Sequence, residues 1–388
     1  MREIFGAFLR LGLTSFGGPV AHLGYFRKEF VERRRWLDEA SFGQLLTIAQ
    51  FLPGPASSQL GFGIGMLRGG LPGGIAAFVA FTLPSALMMV AIAVFGIVGG
   101  SGSILHGLKL VAAIVVTDGV WRMARQLTPD AQRLAIAALA LAGMLLLPVA
   151  WMQLVVIALG MVLGALIVRL PTSAQPAALP VRHSVRDGSV AIAIFAAMLA
   201  AALAWTPDVP SLLAIPSAFW RAGSLVFGGG HVVLPLLESS VVAPGWVTNE
   251  AFLAGYGAAQ AVPGPMFSLA AYLGALVPSG LTGAAGPLLG ALVATLAVFA
   301  PGFLLYYGIL PVWGRLAARP GALNAIAGTN AAVVGLLAAA LYDPVLRSGV
   351  VSWTDAAIAG IGLLLHASLK RPTLVVVAWC VVAAALAA

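Results

Sequence analysis

Gln50-Phe51-Leu52-Pro53-Gly54-Pro55-Ala56-Ser57-Ser58 and Gln260-Ala261-Val262-Pro263-Gly264-Pro265-Met266-Phe267-Ser268 are the two stretches that decide the fold. Each places a Pro-Gly-Pro in the middle of an apolar run. In the run 42–66 the motif leaves eleven residues on either side. That is about 16 Å of helix apiece, half of a ~30 Å hydrocarbon core. Proline removes backbone donors and glycine admits positive φ, so a helix must break there. Backbone that is not helical at that depth survives only where protein or a watery cavity satisfies it. A helix that restarts after Pro55 points free N–H groups and the positive end of its dipole at the break, which suits an anion. Ser57, Ser58 and, in the second stretch, Ser268 add hydroxyl donors. Glycine and proline also occur in membrane helices simply because they allow close packing. The paired placement favours a binding role over that reading.

Working outward, the two stretches belong to a longer duplication. Arg10-x-Gly12-x-x-x-Phe16-Gly17-Gly18 matches Arg221-x-Gly223-x-x-x-Phe227-Gly228-Gly229 at a shift of 211, and His22 and Glu29 return as His231 and Glu238 at 209. Trp36, Phe42, Gln50 and Pro53-Gly54-Pro55 return as Trp246, Phe252, Gln260 and Pro263-Gly264-Pro265 at 210. Rare residues repeated in the same order indicate two homologous halves. The halves are read as residues 1–170 and 189–388, the latter with an extra leading helix, joined by the polar stretch 171–188.

Composition agrees with a membrane protein. Of 388 residues 61% are hydrophobic and 9% charged, and the mean hydropathy is +1.01. Soluble domains carry about 25% charged residues. The expected fold is all-α and polytopic, about 9–13 transmembrane or re-entrant helices with broken segments. An odd number of segments separates the repeats, so the halves have inverted topology if the first two segments of each half behave alike. With those segments dipping in and returning, the basic cluster 27–35 and nearly all later basic connections fall on one side, as the positive-inside rule requires, and Arg347 on the other. The net charge of +8 therefore reflects topology and not nucleic-acid binding. The first apolar run is interrupted by Arg10 and lacks a small-x-small cleavage site, so it is not read as a cleaved signal. Cys380, the single cysteine, reads as a small core residue.

Candidate substrate-binding residues are Arg10, Phe16, Gly17, Gly18, Gln50, Pro53, Gly54, Pro55, Ser57 and Ser58 in the first half. Their counterparts are Arg221, Phe227, Gly228, Gly229, Gln260, Pro263, Gly264, Pro265 and Ser268. The Phe-Gly-Gly turns could form a second backbone cradle. Arg10 and Arg221 either snorkel to the interface or clamp an oxyanion with two parallel hydrogen bonds. His22/Glu29 and His231/Glu238 share a helical face, and either gate or couple transport or form interfacial hydrogen bonds. Acidic residues are absent from 40 to 117 and from 251 to 342. The core thus offers donors without carboxylate acceptors, which suits a fully deprotonated dianion such as chromate or sulfate better than hydrogen phosphate, and argues against a cation channel. Gly99-Gly100-Ser101-Gly102 with His106 imitates an intramembrane serine protease and reads as a connector. With no Walker A sequence and no His-Glu-x-x-His, neither ATP-driven pumping nor zinc proteolysis is expected. No catalytic residue, metal or cofactor is expected.

Taken together, Phe-Gly-Gly-Pro-x-x-His at 16–22, Trp36 with Phe42, Gln50-x-x-Pro-Gly-Pro at 50–55, Phe81-Thr82-Leu83-Pro84-Ser85, Phe-Gly-Gly-Gly-His at 227–231, Gln260-Ala-x-Pro-Gly-Pro at 260–265 and Asn330-Ala-Ala-Val-Val at 330–334 resemble the chromate ion transporter family, in its two-domain form. The likeness runs from about residue 4 to about residue 345. It implies a secondary carrier that exports chromate across the bacterial inner membrane, with sulfate as competitor or exchange partner. The other expected partners are the bilayer and a second copy of the chain. The second half departs from the first in carrying Gly230 for Pro19 and Pro301-Gly302 for Pro84-Ser85. If the copies share one site, their contributions are unequal.

Overall fold

A computed structural model describes residues 1–16, 18–96, 102–147, 152–170, 179–226, 233–369, 371 and 373–387. Among the described residues there is no strand. The first half supplies α1 (Arg2–Thr14), α2 (Gly18–Arg27), α3 (Glu39–Phe51), α4 (Ala56–Val94), α5 (Gly102–Leu127), α6 (Ala131–Leu146) and α7 (Met152–Ile167). Then follow α8 (Val185–Ala204), α9 (Ala214–Leu225), α10 (Val233–Leu237), α11 (Asn249–Ala261), α12 (Leu269–Leu276) and α13 (Ala285–Ile309). The chain closes with α14 (Trp313–Ala317), α15 (Pro320–Ala340), α16 (Arg347–Gly349), α17 (Trp353–Leu363) and α18 (Thr373–Ala387). Four described helical stretches are long and apolar enough to cross a membrane: Ala56–Val94, Val185–Ala204, Ala285–Ala317 and Gly321–Asp343. Of the polar connection expected at 171–188, residues 171–178 lie outside the described residues, and α8 begins at Val185, inside it. Ser184 and Asp187 form a capping box there, which starts the helix earlier than apolar content alone suggests.

The two halves use the same local devices. Asp38 accepts from the Ser41 N–H to start α3, and Thr248, its counterpart at 210, accepts from the Ala251 N–H to start α11. Both Pro-Gly-Pro motifs interrupt a helix, as expected: α3 stops before the first and α4 starts at Ala56, while α11 stops before the second and a short 3₁₀ turn, Met266–Ser268, leads into α12. The 39-residue α4 is itself bent at Gly69 and Gly70, where Gly70 has φ 64°. Its first arm therefore folds back on its second, with Gly65 against Gly73. Gly274 of α12 meets Gly290 of α13 in the same manner. In lipid, helices associate through such small residues because no hydrophobic gain separates them from the tails.

The chain divides into two compact units, residues 1–105 with 177–312, and 106–176 with 313–388. These do not follow the sequence halves, since each unit takes helices from both. In the first unit the broken segments of the two halves bury against one another. α1 crosses α4 at Gly12, beside the Phe81 carbonyl, and α9 crosses α13 at Gly223, beside the Val298 carbonyl. Phe8, Phe26, Phe30 and Phe81 form one aromatic cluster of this unit, and Phe62, Phe78, Phe299 and Phe303 another. In the second unit α15 packs on α6 and α7, with Gly328 against Gly160 and Gly164. There α5 packs on α17 and α18 through Leu110, Ile114, Ile358, Val376 and the buried Cys380.

Candidate functional site: two crossed backbone breaks

Each Pro-Gly-Pro is closed by the other half of the sequence. The Gly54 N–H donates to the Val226 carbonyl at 2.6 Å, and the Gly264 N–H donates to the Ser15 carbonyl at 2.9 Å. Ser15 and Val226 correspond at the shift of 211 and immediately precede the two Phe-Gly-Gly turns. Gly54 and Gly264 hold φ of 124° and 105°, values open to glycine. Gly54 lies against Gly302 of α13 and Gly264 against Ser85 of α4, the residues that follow the in-helix prolines Pro301 and Pro84. The arrangement is a crossed pair, and all of it lies within the first compact unit.

The first break has the richer chemistry. The first backbone bond of α4 runs from the Gln59 N–H to the Pro55 carbonyl at 2.9 Å, so the amides of Ala56, Ser57 and Ser58 precede it as helix-end donors. All three residues are buried. The Gln59 side chain latches the break, its Nε2 donating to the Pro53 carbonyl at 2.8 Å and to the Gly302 carbonyl at 2.9 Å. His22, fully buried, donates from Nε2 to the Ser15 carbonyl at 3.2 Å and places Nδ1 3.5 Å from Ser57 Oγ. A carbonyl can only accept, which assigns the ring proton to Nε2 in the neutral imidazole. Phe81 meets the ring edge-on at 5.3 Å between centroids. Among the described residues, the Ser15, Ser58 and Thr82 hydroxyls and Gln59 Oε1 are buried without a hydrogen-bond partner.

The remaining expected residues are placed as follows. Pro53 and Pro55 are buried, Pro263 is half-buried and Pro265 buried beside the second break. Gln50 is half-buried on the last turn of α3, whereas Gln260 is buried, its Nε2 contacting Met266 Sδ at 2.8 Å. Ser268 is buried in the 3₁₀ turn. Phe16 is exposed, and Gly18 has φ 72° at the start of α2. Gly17, Phe227, Gly228, Gly229 and His231 lie outside the described residues. His22 and Glu29 are both buried but serve different partners. Glu29 accepts from Arg34 at 2.6 Å and Arg33 at 3.0 Å. Burial pushes its carboxyl up, and the two guanidiniums outweigh this and hold it below the usual carboxylate range. Glu238 stands at the matching position after α10, half-buried. Of the protease-like stretch, residues 99–101 are outside the described residues, and His106 is bonded to Asp355 within the second unit.

Among the described residues neither arginine hydrogen-bonds to a break. Arg10 is exposed on α1, and Arg221 is half-buried with Nη1 3.4 Å from the Ala202 carbonyl at the end of α8. A lysine can make that reach along an apolar surface as well as an arginine can. Arg10→Lys and Arg221→Lys should therefore transport within about two-fold of the unmodified chain, the scale of a surface change. A ten-fold loss in either at matched membrane levels would restore them to the site. Sequence reasoning missed Ser15, Gln59, Thr82, Ser85 and Gly302. A glutamine among the apolar residues after Ser57-Ser58 was the available signal for Gln59, and the motif at 81–85 with its Pro301-Gly302 counterpart was the signal for Thr82, Ser85 and Gly302; Ser15 needed the long-range contacts.

The fold and its paired interior breaks define a polytopic helical membrane transporter. The sequence profile of the family described as "Chromate transporter" matches residues 2–165 and again 213–387. The chain belongs to the chromate transporter family. It is 30% identical over 358 residues to the chromate transport protein of Pseudomonas aeruginosa, covering 88% of this chain and 80% of that protein. It is 29% identical over 357 residues to the chromate transport protein of Cupriavidus metallidurans, covering 90% and 83%. A probable chromate transport protein of Synechococcus elongatus is 28% identical over 357 residues, covering 88% and 84%. No solved structure matches the chain.

Proposed function

We propose that this chain exports chromate from the cytoplasm across a bacterial inner membrane by secondary transport, with sulfate as competitor, and that the oxyanion binds at the crossed breaks. The observation that carries the reading is a buried helix start with unpaired donors and no free acid beside it. The one buried acid of the first unit among the described residues, Glu29, is neutralised by two arginines. The unpaired donors favour an anion, and with no free carboxylate beside them Gln59 Oε1 is the acceptor-only side-chain atom left at the break to take a protonated oxyanion's O–H. The relatives' names supply chromate as the first substrate to test. Inverted topology of the halves fits the crossed pairing, since each break then meets the other half as its own counterpart does. We further propose assembly as a homodimer.

The test is uptake into everted membrane vesicles that contain the full chain. Chromate should accumulate, and excess sulfate should slow it. Uptake confined to right-side-out vesicles would reverse the proposed direction, and failure to move either anion would refute the reading.

A further inference from the structure

The two halves build the breaks alike in backbone and unlike in side chains. Ser15, Ser57, Gln59, Thr82 and Ser85 of the first half correspond to Val226, Phe267, Leu269, Phe299 and Gly302 of the second. Only Ser58 keeps its hydroxyl, as Ser268. The second half also has an unpartnered Ser224 hydroxyl two residues before Val226. A buried polar atom without a partner is destabilising, because it has lost its water and gained nothing in exchange. Among the described residues the first half nevertheless holds four: the hydroxyls of Ser15, Ser58 and Thr82, which are 1%, 2% and 3% exposed, and Gln59 Oε1, which is 0% exposed.

These atoms are gathered by the fold. His22 ties Ser15 to Ser57. His22 also meets the Phe81 ring at 5.3 Å between centroids, so the first turn of α4 and the segment that carries Thr82 flank one imidazole. No lysine or arginine is buried among the described residues.

Resting on the transport reading above, we infer that the oxyanion has a single seat, in the first half, formed by the amides of Ala56, Ser57 and Ser58 and the hydroxyls of Ser15, Ser58 and Thr82. The ligand is a tetrahedral dianion of the sulfate and chromate type, held without a cation. The helix start and neutral donors replace its hydration, as at other anion sites on helix N-termini. His22 is a positioning residue that fixes Ser57. At the second break Gly264 meets Ser85 and the Ser15 carbonyl of the first half, Phe267 and Leu269 replace Ser57 and Gln59, and the break serves to close the first.

The full chain is reconstituted in proteoliposomes, and the uptake of chromate and of labelled sulfate is measured over a concentration series. Ser58→Ala, Ser15→Ala and Thr82→Val should each weaken apparent affinity for both anions about ten-fold or more, the loss of a hydrogen bond to a charge. Thr82→Ser keeps the hydroxyl and should retain affinity, which separates lost chemistry from lost packing. Ser224→Ala should stay within about two-fold, the range of a change that removes no ligand contact, and Ser268→Ala should lose markedly less than Ser58→Ala. Equal losses at Ser58 and Ser268 would overturn the single seat. So would unmodified affinity in both Ser58→Ala and Thr82→Val. If the unmodified chain moves neither anion, the proposed function fails instead, and the two failures are thereby distinguished.

Discussion

Gly54→Ala should abolish transport and lower the thermal midpoint of the detergent-solubilised protein. The glycine sits at φ 124°, where an L side chain is strained by about 1–3 kcal/mol. A Cβ there would also lie 2.8 Å from Gly302 Cα and 2.7 Å from Gln59 Nε2. The glutamine could move only by giving up its carbonyl partners, and Gly302 is helix backbone that cannot move alone. Overpacking adds about 1–3 kcal/mol, so the total is about 2–6 kcal/mol. The loss falls on the loop that presents the start of α4. Gly264→Ala should cost less, because its Cβ would press on the Ser85 side chain, Oγ at 2.9 Å, while the backbone oxygen of Gly12 stands off at 3.4 Å. Unchanged stability and transport in Gly54→Ala would mean that the two halves do not meet at this point.

Gln59→Leu is the second large effect expected. Leucine stands at the corresponding position 269, so the change tests the hydrogen bonds with little change of volume. The variant leaves the Pro53 and Gly302 carbonyls without the donor that now serves both. Two orphaned buried carbonyls cost about 2–6 kcal/mol, offset by about 1–3 kcal/mol because the unpartnered Gln59 Oε1 also disappears. The net should appear as a lower thermal midpoint and as transport reduced at least ten-fold, since the break is no longer latched to α13. A variant as stable and as active as the unmodified chain would show that the glutamine is not the latch.

The crossing also explains why compact units and sequence halves differ. A break in one half leaves Gly54 or Gly264 with an N–H that its own half does not satisfy, and the other half supplies the carbonyl of Val226 or Ser15. Burying unpaired amides in hydrocarbon is costly enough to bind the broken segments of both halves into one unit. The unbroken helices that follow, such as α6, α7 and α15, carry no such debt and pack on one another through Gly160, Gly164 and Gly328.

The sequence by itself determined the membrane class, the duplication and the position of both breaks. These depend on properties that act locally: apolar runs against the thickness of a bilayer, and proline and glycine against the helical backbone. It also named Ser57, Ser58 and His22, because polar residues inside apolar runs stand out. Tertiary structure alone decided that each break is closed by the opposite half, that Gln59 reaches a carbonyl 243 residues away, and that Arg221 reaches the Ala202 carbonyl at the end of α8. It alone separated the hydroxyls left unpaired, at Ser15, Ser58 and Thr82, from those that bond to their own helix, such as Thr14 and Thr295. The reason is physical. A repeat in sequence fixes equivalent backbones, but whether a hydroxyl is satisfied depends on the atoms that the other half brings within about 3 Å of it.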